Sequence, residues 1–199
     1  AVLIYGEKGT GRHTLARFLS RAAVCGGENP PCGVCRGCRL AESGAHPDVI
    51  TALPEAGKKN ISVSQIRRIR SEAYVKPHMA DRRVFIIDGA GTMNAEAQNA
   101  LLKVLEEPPG SVVFILIAES AAELLDTVVS RCTAVSLVPP EISEAAEYIG
   151  RTSDYGGPRI ISALEQTGGN IGAALELLSG GSAAARSAAE RFAAYLLAP

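Results

Sequence analysis

Short, unbroken apolar runs recur along this chain, separated by stretches of helical spacing, and nothing else in the sequence restricts its fold so strongly. Residues 2–5, 49–53, 84–87, 112–118 and 133–138 are rich in β-branched side chains and end in Gly, Asp or polar residues. A strand with one wet face alternates apolar and polar residues, whereas continuous apolarity suits strands covered on both faces of a parallel sheet. Between the runs, residues 14–24 carry Leu15, Phe18 and Leu19 on one face, and residues 62–75 open on Ser62 and place Val63, Ile66, Ile69 and Ala73 at helical spacing. Residues 94–106 do the same with Ala97, Ala100, Leu101, Val104 and Leu105, and Pro108-Pro109 stops that helix. The β-α-β-α order predicts an α/β fold with an open, doubly wound parallel sheet.

Pro139-Pro140 marks a boundary, beyond which no strand signal occurs. Residues 141–149, 158–166, 171–178 and 183–197 read as four helices punctuated by Gly156-Gly157, Gly168-Gly169 and Gly180-Gly181. The 199 residues, 47% of them apolar, are therefore expected to form a larger α/β domain over 1–139 and a small helical domain over 140–199. A net charge of −1 gives no general pull toward nucleic acid or an anionic membrane. No apolar run is long enough to span a bilayer. The opening residues have neither the basic start nor the cleavage site of a signal peptide. They read as a strand that begins abruptly, so the natural protein is expected to start earlier, and the expected location is a reducing cytoplasm.

The first run leads into Gly6-Glu7-Lys8-Gly9-Thr10-Gly11-Arg12-His13-Thr14 and then a helix. This is the glycine frame of a phosphate-binding loop, in which glycines turn backbone N–H groups toward a phosphate at a helix N-terminus. The side chains that would do the chemistry are missing. Arg12 stands where a compact Lys ammonium is needed, and His13 stands where a hydroxyl should hold Mg²⁺, an ion that prefers hard oxygen ligands. The run ending in Asp88 resembles a Walker B strand, but Gly89 follows in place of a water-orienting Glu. Gly6, Gly9, Gly11, Arg12 and Asp88 are accordingly expected to form a vestigial nucleotide site; a Gly-rich turn with no ligand is the plainer alternative.

Of the five cysteines, Cys25, Cys32, Cys35 and Cys38 are clustered. Four thiolates at this spacing can close a tetrahedral, structural Zn²⁺ site and so staple an insertion, about residues 25–40, too small to build a core. An iron–sulfur cluster is the competing reading, although the fourth cysteine lies upstream and no Cys-Pro follows. Cys132 is too distant to join and is expected to be a buried thiol.

Four stretches together resemble the bacterial DNA polymerase III clamp-loader subunits, of AAA+ type: the cysteine run, His46-Pro47-Asp48, Asn99-Ala100-Leu101-Leu102-Lys103-Val104-Leu105-Glu106-Glu107-Pro108-Pro109, and Ser130-Arg131-Cys132. Within that family the altered loop, Gly89, Gly172 at the sensor-2 Arg position, and Ala118 or Glu119 at the sensor-1 position side with the delta-prime type rather than the ATP-hydrolysing gamma/tau type. The resemblance implies no ATP binding or hydrolysis by this chain, structural zinc, and Arg131 as an arginine finger acting on a neighbour's ATP. It also implies other clamp-loader subunits (gamma/tau and delta types) as partners, with the sliding clamp and primed DNA reached through the assembly, and no membrane. A collar-forming helical domain of the family is expected outside this chain. Two alternatives stand beside it: an active gamma/tau-type ATPase, and a zinc-dependent nucleic-acid-binding module. For the latter, Arg67, Arg68 and Arg70 on one helix, with Arg36, Arg39, Arg82 and Arg83, are the candidate DNA contacts, without an aromatic stacking platform. His46 and His78 have no catalytic partner in sequence; His46 is expected to shape a loop.

Overall fold

In the computed structural model of the chain, residues 1–180 are described, and the helix expected over 183–197 lies outside them. Contacts divide the chain into two compact units. One comprises Ala1–Glu7 and Arg12–Leu137; the other comprises Lys8–Gly11 and the chain from Val138 onward.

The first unit is built on five parallel strands, β1 (Val2–Gly6), β2 (Val49–Ala52), β3 (Arg83–Asp88), β4 (Val112–Ala118) and β5 (Thr133–Leu137), in the order β2-β3-β4-β1-β5. Helices α1 (Arg12–Ala23) and α2 (Arg36–Glu42) follow β1; α3 (Val63–Ala73), α4 (Ala95–Glu106) and the single turn α5 (Asp126–Val129) follow β2, β3 and β4. Alternate residues of the central strands serve two cores. Leu3, Phe85, Ile87, Phe114 and Leu116 pack with Ile66, Ile69, Leu101 and Val104 of α3 and α4. Ile4, Val84, Ile86, Ile115 and Ile117 pack with Ala16 and Val24. Burial on both faces is why β3 and β4 read as continuous apolar runs. Phe85 and Phe114 stack across the strand pair at 5.4 Å between centroids, both essentially fully buried. Each such side chain contributes about 1.5–3 kcal/mol of burial.

Local signals set the helix starts. Ser62 and Gln65 form a reciprocal capping box on α3, and Asn94 caps α4 by accepting from Ala97 N at 2.9 Å. The start of α1 is earlier than the sequence predicts, at Arg12 rather than Thr14, and its end is Ala23, so Cys25 lies just past it. The cysteine segment contains a helix, α2, that the spacing does not foretell, because Cys35 itself caps it, its Sγ accepting from Cys38 N.

In the second unit, α6 (Ile142–Thr152), α7 (Gly157–Gln166) and α8 (Ile171–Leu178) enclose Ala145, Ile149, Ile160, Ala163, Leu164, Ala174 and Leu178. Among the described residues no helix is long and apolar enough to cross a membrane.

Candidate functional site

Of the residues expected to meet a nucleotide, Gly6, Arg12 and Asp88 lie at the carboxyl ends of β1, β3 and β4, where open α/β sheets commonly bind ligands. Gly6 ends β1 and donates its N–H to Glu119 O at 3.2 Å. Arg12 opens α1, yet its side chain is only 7% exposed. Its Nη1 donates to Ala118 O at 2.5 Å and its Nη2 lies 3.6 Å from Glu119 Oε1. The guanidinium at the phosphate-lysine position is thus tied to the end of β4. A phosphate would have to strip it from a carbonyl and a carboxylate.

His13 Nε2 meets Asp88 Oδ1 at 2.9 Å. The carboxylate that would hold Mg²⁺ through water therefore faces an imidazole instead. Gly89 follows in a left-handed conformation, φ +84°. A Glu at that position would be strained by roughly 1–2 kcal/mol, so this backbone disfavours the missing water-orienting residue.

The remainder of the loop, Lys8–Gly11, belongs to the second unit. Asn170 Nδ2 donates to Lys8 O at 2.8 Å and Gly172 N donates to Gly9 O at 3.0 Å. A Cβ on Gly172 would lie 2.5 Å from Gly9 Cα, so the Arg expected there in an ATPase has no room in this arrangement. Asn170 was not a sequence candidate; its only signal was its place as the polar cap before α8, where its Oδ1 accepts from Ala173 N at 3.0 Å.

Cys25, Cys32, Cys35 and Cys38 place all four Sγ atoms within 4.8 Å of one another. A tetrahedral Zn–S₄ site with bonds of about 2.3 Å requires S···S separations of roughly 3.8 Å, and Cys25 and Cys35 Sγ lie 3.9 Å apart. Backbone N–H groups aim at the sulfurs: Gly27 and Cys32 at Cys25 (3.3 and 3.4 Å), Cys35 at Cys32 (3.4 Å) and Cys38 at Cys35 (3.3 Å). Donation by Cys38 N, then Gly26 N, pulls the Cys35 thiol down to about 6, and donors from Cys32 and Gly27 lower Cys25. Burial pushes Cys38 up to about 11, so that thiol needs a cation beside it to ionise at neutral pH. The set fits a metal ion. Gly37 makes the geometry accessible, because a Cβ there would meet Val24 O at 2.3 Å and hold α2 away from the end of α1.

His46-Pro47-Asp48 proves to be a structural knot beside this module. Asp48, fully buried, accepts from His78 N, Met79 N and Ala80 N at 2.6, 2.8 and 3.0 Å. Buried His46 accepts through Nδ1 from Asp48 N at 3.0 Å, so it shapes the loop as expected. Arg131 lies just after α5. Its Nη2 pairs with Glu106 Oε1 at 2.6 Å and its Nη1 donates to Thr127 O at 2.8 Å. Cys132 is partly rather than fully buried. Of the arginine cluster, Arg67 pairs with Glu96 and Arg68 with Glu72, which leaves less free positive charge on α3 than its sequence suggests.

The profile of the family described as "DNA polymerase III, delta subunit" matches residues 1–141. The Escherichia coli (strain K12) DNA polymerase III subunit delta' is 34% identical, over 98% of this chain and 59% of its own length. The tau subunit of Bacillus subtilis (strain 168) is 35% identical over 66% of this chain and 23% of its own. Among solved structures, a DNA polymerase III gamma subunit-related protein from Thermotoga maritima superposes with a TM-score of 0.56 at 28% identity, covering 74% of this chain and 44% of that one. The chain thus spans little more than half of the delta' relative.

Proposed function

The chain belongs to the DNA polymerase III delta-subunit family, and from that premise we propose that it is the AAA+ part of a delta-prime-type clamp-loader subunit, which does not hydrolyse ATP and presents Arg131 to the ATP of a neighbouring subunit. The observation that carries this reading is that both groups a nucleotide needs are already engaged. Arg12 is bound to Ala118 O and Glu119, and Asp88 is bound to His13. With His13 in place of a metal-binding hydroxyl and Gly89 in place of a water-orienting carboxylate, these positions cannot polarise the γ-phosphate or aim a water at it.

Arg131 has the chemistry for acting in trans. A guanidinium stays charged, presents paired donors to phosphate oxygens and offsets charge developing in phosphoryl transfer. Arginine fingers of this kind contribute about 10³–10⁵ in rate. The four cysteines would hold structural zinc, fixing α2 against the end of α1 without an open coordination position. Gamma/tau and delta-type subunits are the partners, and the sliding clamp and primed DNA are met through the assembly.

Calorimetry of the purified protein with Mg·ATP should show no binding and no turnover. In the reconstituted assembly, Arg131→Ala should lower DNA-stimulated ATP hydrolysis at least tenfold. Turnover by the protein alone, abolished by Asp88→Ala, would instead identify a gamma/tau-type ATPase. Salt-sensitive DNA binding by the protein alone would identify a nucleic-acid-binding module.

A further inference from the structure

We infer that Glu106 parks Arg131: it holds the guanidinium on its own subunit and competes with a neighbour's phosphate for it. This rests on the finger reading above and adds a positioning residue to it. The two are paired through Nη2 and Oε1 at 2.6 Å, while Nη1 is occupied by Thr127 O at 2.8 Å and approached by Ser130 Oγ at 3.4 Å. Each terminal nitrogen thus already serves an acceptor on its own subunit, and the Glu106 carboxylate offsets the charge that a phosphate would draw on.

The site favours holding the cation while leaving the pair breakable. Glu106 is the last residue of α4 and Glu107 caps it. A helix C-terminus is its negative end, where a carboxylate is disfavoured and a cation is attracted. The Arg131 side chain is 34% exposed and that of Glu106 46%, so the pair sits at the surface, where an incoming anion can reach it and where the ion pair is weak enough to break. The carboxylate and the triphosphate compete for one cation, and Glu106 sets the threshold.

The test compares DNA-stimulated ATP hydrolysis in reconstituted assemblies carrying wild-type protein, Glu106→Gln, Arg131→Ala or both substitutions. Glu106→Gln preserves shape and removes charge. It should raise kcat/KM by about 2–5-fold, the size of effect expected from releasing a partly exposed ion pair. The double variant should match Arg131→Ala, because the effect passes through the guanidinium. Side-chain NMR of the protein alone should show slow rotation of the Arg131 guanidinium in the wild type and fast rotation in Glu106→Gln. Unchanged or lower turnover in Glu106→Gln, or equal rotation rates in the two proteins, would overturn parking. If Arg131→Ala leaves turnover untouched, the finger reading falls and the parking role with it, while the NMR comparison still decides whether the ion pair forms.

Discussion

Replacing Asp48 with Asn isolates what the His-Pro-Asp stretch does. The carboxylate is fully buried and distributes its two oxygens over three backbone donors: Oδ1 takes His78 N, and Oδ2 takes Met79 N and Ala80 N. It is also the counter-charge of Arg83, whose Nε lies 3.8 Å from Oδ1 and whose Nη1 donates to Glu72 O at 3.0 Å. An Asn keeps one acceptor oxygen. In its better orientation that oxygen serves Met79 and Ala80, and the new NH₂ then faces the N–H of His78 and the guanidinium of Arg83. An orphaned buried donor costs about 1–3 kcal/mol, and stripping a buried charge of its partner costs about 3–5 kcal/mol. The two penalties overlap in one network, so Asp48→Asn should cost about 3–5 kcal/mol, a large share of a typical domain stability of about 5–15 kcal/mol. Urea unfolding of the metal-loaded protein, followed by circular dichroism, measures it. Asp81→Asn, an exposed neighbour, serves as control and should change stability by less than about 0.5 kcal/mol.

The pH dependence gives a second handle on the same residue. Burial, the largest single influence, pushes the Asp48 carboxyl upward, but the three backbone donors together with His46 outweigh it and hold the group below its ordinary value. A pKa depressed in the folded state contributes stability above the unfolded value of about 3.9 and loses it as pH falls through the folded one. The deficit of Asp48→Asn should therefore be constant above about pH 5 and shrink in acid. A loss below about 1 kcal/mol at neutral pH would refute the view that this carboxylate is the organising acceptor of the 78–80 segment.

The other expectations are brief. Burial lowers the His46 pKa despite the opposing pull of Asp48. Its stability contribution is present above about pH 6.5 and is lost as pH falls below that, so His46→Gln should flatten the melting temperature between about pH 7.5 and 5.5. A strong chelator should release close to one zinc per chain, render the thiols of Cys25, Cys32, Cys35 and Cys38 reactive, and reduce helix signal; a chelated protein with unchanged thiol reactivity would speak against a metal site. Phe114→Ala, which empties one side of the stacked pair, should cost about 3–5 kcal/mol by denaturant titration. Arg12→Lys with His13→Thr should fail to restore Mg·ATP hydrolysis in a turnover assay of the protein alone, because Gly89, at φ +84°, still stands where a water-orienting carboxylate is needed.

Much of this was legible in the sequence, and the reasons differ by element. The β3 and β4 runs are apolar on both faces, so their burial pattern is written in consecutive residues. Ser62 and Asn94 advertise the starts of α3 and α4 through local hydrogen bonds. The four thiols announce themselves by spacing. What was hidden depends on contacts distant in sequence. Arg12 looks like an available cation until β4 supplies Ala118 and Glu119, and Arg131 looks free until α4 supplies Glu106. Helix α2 escaped because its cap is a cysteine already assigned to the metal, and Cys132 reads as buried by type although its position leaves it partly exposed.

The glycine frame has a structural role that needs no ligand. Gly9 and Gly11 keep the left-handed backbone, at φ +95° and +93°, that a phosphate loop uses. Yet a Cβ on Gly9 would fall 2.2 Å from Asn170 Oδ1, and one on Gly172 would fall 2.5 Å from Gly9 Cα. Within the second unit, then, Gly9 and Gly172 are required by the close approach of the loop to the start of α8, whether or not a phosphate ever enters. The presence of Gly9 and Gly172 therefore says nothing about nucleotide binding; positions 12, 13 and 89 are where the sequence bears on it.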